Sequence, residues 1–510
     1  MNYRLILVTL FHAMFSTFGD IEANTLNFMN VPLRHFFNES LSFHYNIDAT
    51  DTEFNLIFSI IASTMFLGIV VGGLSMGYLM DFYGRKATAV YIRSFLGVVS
   101  AICMIGARYL LSIELFVIGH FIAGVICSLK VVLFIYIAEC APDNRRGVAS
   151  MTIGSGGALI MLAIQPLCLP YVFGNDSRWT GLPTICLIMA VVHLLGGATF
   201  PKSPKHLYIT ENKKSEAIVA IQFYHGDEVD IELIEEEYER EKGIMALGHI
   251  SLKQVWQNET LRWSFLICFV CSLVPAFSAI SIKSQYQVSM YLTFGMNQSQ
   301  AVLVIMVLSV VTLPLCIISP VIIEKAGRRP LFLSVSGLCT LEWFLLMIAQ
   351  FMVDMNIRIP LITSVIGIIG TLSGQVALMM GLLNITPIMI SELCPQVARA
   401  PVGQFVQVVP IIFALLSVVS YPVTVATFGA LYFLPFLVFS ILLFYLLYKN
   451  LPETTGLPVD KIVRRLTIST RSRGPSMSAL LHGTISHDYG SLVEEDRGTI
   501  VPDSRNQTIY

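Results

Sequence analysis

Charged residues are scarce in this sequence. Asp, Glu, Lys and Arg make up 13% of the 510 residues, whereas hydrophobic residues make up 55%, and the mean hydropathy is +0.71. A soluble domain carries about 25% charged residues because it must cover its surface. The composition therefore excludes that class and predicts a polytopic membrane protein. At about 20 apolar residues for each crossing, the chain has room for about twelve membrane-spanning helices.

Signatures of catalysis and of disulfide scaffolds are missing. The ten cysteines fall almost wholly inside apolar runs, without the spacing of an extracellular disulfide framework or of a zinc site. No nucleophile triad, phosphate-binding loop or metal-ligand spacing is present. We therefore expect a protein that is not an enzyme and that uses no cofactor or metal. The net charge of -2 says little about partners, and no stretch supports nucleic-acid binding.

Apolar runs separated by short charged loops fill most of the chain. We predict five spans at residues 5–28, 58–80, 90–111, 115–137 and 148–170, with a sixth that ends at residue 200. Six more are predicted at residues 265–286, 301–323, 331–352, 361–390, 402–425 and 431–447. No small-residue cleavage site follows the first run, so we interpret it as a retained span rather than a signal peptide.

The distribution of charge predicts a topology. Basic loops at residues 81–86 and 139–147 fall on one face, which the positive-inside rule makes cytoplasmic. On this basis the chain divides into four segments: a six-helix half at 1–200, a cytoplasmic helical linker at 201–263, a second six-helix half at 264–448 and a disordered cytoplasmic tail at 449–510. Both termini are then cytoplasmic, and we expect the protein in the plasma membrane.

Two N-glycosylation sequons fall in loops predicted for the outside face. We expect a glycan at Asn38, in an outside loop after span one, and we take Asn175, after span five, as a second candidate. Asn258 belongs to the cytoplasmic linker and should stay unmodified.

Charged motifs follow the apolar runs in a definite order. G-Y-L-M-D-F-Y-G-R-K at residues 77–86 is echoed by E-K-A-G-R-R at 324–329. The others are Y-I-A-E-C-A-P-D-N-R-R-G at 136–147, P-K-S-P-K at 201–205 and L-P-E-T-T-G at 451–456. This ordered set resembles the sugar porters of the major facilitator superfamily, closest in layout to the facilitative glucose transporters. The resemblance implies an all-α fold of about twelve transmembrane helices in two halves, and transport by alternating access.

The resemblance also implies a cytoplasmic gate. Carboxylates and guanidinium groups at helix ends would pair in a partly dry seam and separate when the halves rock. The residues that match the gate motifs are Asp81, Gly84, Arg85, Lys86, Glu139, Arg146, Glu324, Arg328, Arg329, Glu392, Arg399 and Glu453. Lys202 stands where the family has glutamate. The alternative is that these charges set only topology and stability.

The substrate path departs from the family pattern. Gln165 falls on the sugar-contacting glutamine of span five, but the glutamines and asparagine of span seven and the tryptophan of span ten are missing. Thr312 stands at an asparagine position of span eight, and Asn384 lies in the altered span-ten motif. Because hexose recognition needs several converging amides, tight glucose binding is not predicted.

Ionisable residues lie inside the predicted spans. They are Asp20, Glu22, His120, Lys130 and Lys283. Such groups are costly in a bilayer and are usually functional, so we place them on the substrate path. The alternative is that Asp20 or Glu22 neutralises Lys130 or His120 and merely holds spans one and four together. Further polar candidates, each of which could equally join helices by hydrogen bonds, are Gln285, Thr386, Gln404 and Gln407.

The function predicted from these features is transport of a small polar solute, most simply a sugar or sugar-like compound, without covalent chemistry. Its partners are then the solute and the lipid bilayer, and coupling to protons is left open. The alternative is a transporter-like sensor or scaffold that no longer transports. The altered pocket and the Ser/Thr-rich tail favour that alternative.

Overall fold

The computed structural model describes residues 2–453, apart from 48–49, 143–145, 227–228, 247–250, 358–359, 384 and 395. The helices of the first half are Tyr3–Phe15, Phe18–Ala23, Thr25–Phe28, Asn30–Tyr45, Asp51–Tyr83, Arg93–Leu110, Ile113–Cys140, Arg146–Ile164 and Gly181–Ala198. The linker helices are Lys214–His225, Ile231–Ala246 and Leu252–Gln257. The helices of the second half are Glu259–Ala276, Ile280–Thr293, Gln298–Ala326, Arg328–Asp354, Pro360–Met379, Ile385–Leu393, Gln396–Phe428 and Phe433–Asn450.

Ten helical stretches in the described residues are long and apolar enough to cross a membrane. One of them, Pro401–Asn450, has 50 residues, which at 1.5 Å per residue is about 75 Å and allows two crossings of a core about 30 Å thick. A shorter apolar helix, Thr152–Cys168, lies where span five is predicted. The second crossing and this shorter helix bring the number to the twelve spans that the composition predicts. The prediction of an all-α polytopic fold is confirmed.

The segment after span one differs from the prediction. Residues expected to form an outside loop instead form the helix Asn30–Tyr45. Leu33, Phe36, Phe37 and Leu41 are buried on one side of this helix. Their spacing is that of an amphipathic helix, so the sequence did contain the signal.

Two spans are interrupted within the bundle. The first helix of span one ends at Phe15, and the hydroxyl of Thr17 donates to the carbonyl oxygen of Ala13 at 3.0 Å, a contact that competes with the helix and often bends it. Span seven breaks just after Pro275 and restarts at Ile280. Interruptions of this kind occur in membranes where backbone is buried in protein or lines a cavity.

Spans two and four are packed with their backbones in contact. A Cβ atom at Gly68 would lie 2.1 Å from the carbonyl oxygen of Phe121, and one at Gly124 would lie 1.9 Å from that of Met65. No other residue type fits at these two positions without separating the helices. Small residues commonly allow such close approach between membrane helices.

The bundle has two distinguishable faces. Asn2 donates to the carbonyl oxygen of Phe223 in the linker at 2.9 Å, so the start of span one lies on the face next to the linker, here called the linker face. Five hydrogen bonds between described residues join the two halves towards the opposite face: Gln165 Nε2 to Ser309 Oγ (3.1 Å), Gln285 Nε2 to Ala23 O (3.3 Å) and to Met65 Sδ (3.1 Å), Val288 N to Asn27 Oδ1 (3.1 Å) and Gln298 Nε2 to Gly174 O (3.1 Å). A hydrophobic core with residues from both halves surrounds these bonds. The halves are therefore closed against each other at the opposite face.

Candidate functional site

An ion pair lies between spans one and four. Asp20, just beyond the break in span one, pairs through Oδ2 with Nζ of Lys130. Their side chains are 23% and 17% exposed. A Cβ atom at Gly157 of span five would lie 3.6 Å from the same Nζ, which shows how closely the pair approaches span five. Of the alternatives from the sequence, the pairing of Asp20 with Lys130 is the one the structure places here.

Two further predicted path residues are fully buried, and neither forms an ion pair with a described residue. Glu22 is fully buried, and Ser100 and Arg93 are its polar neighbours. His120 is also fully buried and stacks on Phe116 with ring centroids 5.8 Å apart. His120 therefore does not form the contact with Asp20 or Glu22 that the sequence left open.

Arg93 of span three is a functional candidate that the sequence analysis missed. It is fully buried, it lies 4.6 Å over the ring of Phe18, and it donates to the carbonyl oxygens of Ile126 at 3.1 Å and Ser16 at 2.8 Å. The negative charge of Asp20 favours the charged form of its guanidinium group. An arginine within the predicted span 90–111 was the available signal.

The second half contains its own buried ion pair. Lys283 Nζ lies 2.5 Å from Oε1 of Glu342 in span nine, and the side chains are 8% and 1% exposed. Gly374 of span ten provides the space, because a Cβ atom there would lie 2.0 Å from Glu342 Oε2. Lys283 thus points into its own half, whereas Gln285, two residues on, contacts the first half. Glu342 was missed in the sequence, although it is the one acidic residue in the predicted span 331–352.

Gln165 lies at the far end of span five. It begins the 3-10 helix that follows the whole of Arg146–Ile164, so it lies about 28 Å along span five from Arg146, towards the opposite face. Its amide donates to Ser309 of span eight. Thr312 is buried and donates within its own helix to Leu308 O at 2.8 Å. In this structure Gln165 bonds to the other half, and Thr312 bonds within its own helix.

The remaining polar candidates differ in how far their side chains are buried. Thr386 is partly buried, and Gln404 and Gln407 are exposed. The amide nitrogen of Gln404 approaches span two, since a Cβ atom at Gly77 would lie 3.3 Å from it. Asn384 lies outside the described residues.

In the first half, the predicted gate charges meet at the linker face. Arg85 Nε donates to Glu139 Oε1 at 3.3 Å. Lys86 is buried, and its Nζ donates to the carbonyl oxygens of Ala198 (2.9 Å) and Phe200. Gly84 makes the turn before them with φ +86°, which residues with a side chain rarely adopt. Asp81 is exposed and has no ion pair with a described residue.

The second half repeats this arrangement with one addition. Arg328 Nε donates to Glu392 Oε1 at 2.9 Å, and Arg329 donates to the carbonyl oxygen of Tyr448 at 2.7 Å. The carboxylate of Glu453 accepts the backbone N–H groups of Arg328 at 3.0 Å and Arg329 at 3.3 Å. It therefore caps span nine, where the helix dipole favours a negative charge. The side chains of Arg146, Glu324 and Arg399 lie outside the described residues.

We predict that Asn38 carries a glycan and that Asn175 does not. Asn38 is exposed. By contrast, the amide nitrogen of Asn175 donates to the carbonyl oxygens of Pro170 and Val172 at 2.8 and 3.2 Å, and a glycan would replace one of these two donors. The measurement is enzymatic deglycosylation of Asn38→Gln and Asn175→Gln, with a mobility shift that disappears only in the first. A shift that survives in Asn38→Gln would contradict the prediction.

The comparisons with known proteins agree with this architecture. Residues 21–466 match the family model described as "Sugar (and other) transporter". The chain is 25% identical over 455 residues to the mouse protein "Solute carrier family 2, facilitated glucose transporter member 7", covering 89% of this chain and 88% of the relative. It is 26% identical over 405 residues to the human member 5, covering 78% and 79%.

Solved structures show the same fold. The inward open conformation of the xylose transporter XylE from E. coli superposes with a TM-score of 0.69 at 17% identity, covering 90% of this chain and 98% of that one. XylE bound to 6-bromo-6-deoxy-D-glucose, described as a proton:xylose symporter, superposes with a TM-score of 0.64 at 18% identity, covering 91% and 98%. These relatives are transporters rather than enzymes, and none of them supports the sensor alternative. The chain belongs to the "Sugar (and other) transporter" family and is a membrane transporter with the major facilitator fold.

Proposed function

We propose that the protein carries a sugar or sugar-like solute between its two halves by alternating access, and that Asp20 couples this movement to protons. The observation that supports coupling is the Asp20–Lys130 ion pair, which is partly exposed within a span. A carboxylate in such a position can gain and lose a proton only if water reaches it. The relative XylE is described as a proton symporter.

The direction of opening follows from the contacts between the halves. The hydrogen bonds described between the halves lie towards the opposite face, so this state would exchange solute at the linker face. We take the linker face as cytoplasmic because the basic loops lie there, and we place both termini on that side and the protein in the plasma membrane. Solute affinity should be modest, because the span-seven amides of the family are replaced.

Uptake into liposomes that contain the purified full-length protein tests the proposal. Labelled xylose, glucose and fructose are supplied outside, with empty liposomes as the control. Saturable uptake of at least one sugar, competed by excess unlabelled sugar, is the expected result. If folded protein gives no saturable flux of any of them, the assignment of sugars as the solute is wrong.

Gln165→Ala is expected to change access rather than solute affinity. Its bond to Ser309 helps to close the opposite face, and loss of about 1 kcal/mol would shift the balance between states about fivefold. The measurement is labelling of an introduced cysteine at that face, beside the KM for transport. Ser309→Ala should behave alike, whereas Thr312→Ala, whose hydroxyl bonds only within its helix, should not. A raised KM with unchanged labelling would return Gln165 to the solute site.

A further inference from the structure

In the first half, the turn at Gly84 lacks the carboxylate cap that the second half uses. In the second half, Glu453 of L-P-E-T-T-G accepts two backbone N–H groups at the start of span nine. The corresponding residue of P-K-S-P-K is Lys202, and an ammonium group cannot accept a hydrogen bond. Lys202 instead pairs with Glu211 at 2.7 Å. The turn at Gly84 must therefore be stabilised by another group.

His206 takes that place. The imidazole packs directly under the turn: a Cβ atom at Gly84 would lie 2.7 Å from His206 Nε2. The histidine side chain is only 8% exposed. Its ring thus fills the space that a side chain at residue 84 would need, which adds a second reason for glycine there besides the positive φ.

The imidazole completes a closed ring of four hydrogen bonds. Arg85 donates through Nη1 to His206 Nδ1 at 3.1 Å and through Nε to Glu139 Oε1 at 3.3 Å. Ser203 Oγ donates to the second oxygen of Glu139 at 2.8 Å and accepts the backbone N–H of His206 at 3.2 Å. A guanidinium group held on two of its edges has little freedom to rotate. The ring therefore fixes the direction in which Arg85 points.

We propose that His206 is the positioning residue of the first-half gate, which holds Arg85 against Glu139 in place of the missing carboxylate at position 202. The inference rests on the proposed function, because it assigns a role within alternating access. It goes beyond it by naming a residue outside the motifs that carry the family resemblance.

The ring requires a neutral imidazole. Because arginine only donates, Nδ1 of His206 must be the acceptor. The single N–H of the neutral imidazole is then on Nε2, which lies 3.4 Å from Glu211 Oε1. A second proton would place an N–H against the guanidinium and break that bond. Lys202 and Lys213 both pair with Glu211, so this carboxylate is already shared.

The surroundings of His206 favour the neutral form. Burial lowers the pKa of His206, and so do the charges of Arg85 and Lys202, while Glu139 and Glu211 oppose them. The pKa of His206 among these hydrogen bonds is lower than the ordinary value of 6.5. The contribution of His206 to the stability of the gate is therefore complete above about pH 6.5 and is lost as the pH falls below it. Acid on the linker face should therefore loosen the gate.

The test follows the gate without relying on transport. Maleimide labelling of the native Cys140, which is fully buried next to Glu139, is measured peptide by peptide from pH 7.5 to 5.5 in the full-length protein. His206→Gln is compared at each pH, since glutamine can still accept from Arg85 but does not titrate. Comparison at equal pH removes the effect of pH on the thiol itself. His44→Gln, an exposed histidine of the helix Asn30–Tyr45, is the control.

Labelling with His206 present should rise relative to His206→Gln below about pH 6.5, by up to about tenfold per pH unit. His206→Ala, which removes the acceptor, should label fast at every pH, and His44→Gln should follow the unmodified protein. Parallel pH profiles for His206 and His206→Gln would overturn the assignment, even if sugar transport is normal. A pH-dependent difference without sugar flux would keep the assignment and refute the proposed solute.

Discussion

Glu342→Gln is expected to lower the free energy of unfolding by about 3–5 kcal/mol, because it leaves the ammonium group of Lys283 buried without its counter-charge. Both side chains are almost fully enclosed between spans seven, nine and ten, so water cannot take over from the lost carboxylate. The measurement is the apparent Tm of the detergent-purified protein. Lys283→Met should show a loss of similar size, because it leaves the carboxylate unpaired instead.

The double variant distinguishes pairing from general damage. Lys283→Met combined with Glu342→Gln contains no unpaired charge and should recover most of the Tm that either single variant loses. Arg108→Gln is a matched control, because Arg108 pairs with Glu39 at 3.4 Å on the surface and such pairs contribute about 0–1 kcal/mol. Additive losses in the double variant would mean that the two charges are not coupled.

Asp20→Asn is expected to abolish stimulation of flux by an imposed pH gradient while leaving exchange at equal pH measurable. Asparagine keeps the shape of aspartate but does not titrate, and it leaves Lys130 without its counter-charge. With one proton moved per solute, a gradient of one pH unit supports about tenfold accumulation. The unmodified protein should approach that ratio, and the variant should reach only equal concentrations on both sides.

The control for this experiment is Glu39→Gln, which removes a carboxylate that is 56% exposed at the surface. Its response to the gradient should equal that of the unmodified protein. If flux through the unmodified protein ignores the gradient, facilitated diffusion stands and the coupling role of Asp20 fails. Unchanged accumulation by Asp20→Asn would show that a group other than Asp20 carries the proton.

Much of the fold could be predicted from local pattern. The spans are long apolar runs, and their ends are marked by charges that must reach water, so each signal is contained in about 25 residues. The helix Asn30–Tyr45 was missed although Leu33, Phe36 and Phe37 repeat at helical spacing. The sequon requires only that Asn38 be exposed, and a helix with Asn38 on its outer side meets that requirement as well as a loop does.

The site could be predicted only in its residue types. Asp20, Lys130 and Lys283 stand out because charge is costly in a bilayer, but the choice of partner depends on how the spans pack. Lys283 could have faced the path, and the rotation of its helix turns it to Glu342 instead. In the same way, the sequence could not give Gln165 its partner, because the bond to Ser309 depends on how spans five and eight pack.

The backbone contact between spans two and four holds these two helices at a fixed distance from each other. Gly68 and Gly124 leave no space between the two helices, so these spans cannot slide or tilt separately while the halves reorient. Spectroscopic probes attached to spans two and four would therefore report one constant distance through the whole cycle. Probes near Ala23 and Gln285, whose hydrogen bond crosses between the halves, would report a distance that changes. The ratio of the changing distance to the constant one would then measure the movement of the two halves within a single molecule. Differences in labelling or detergent would affect both distances and would cancel in the ratio.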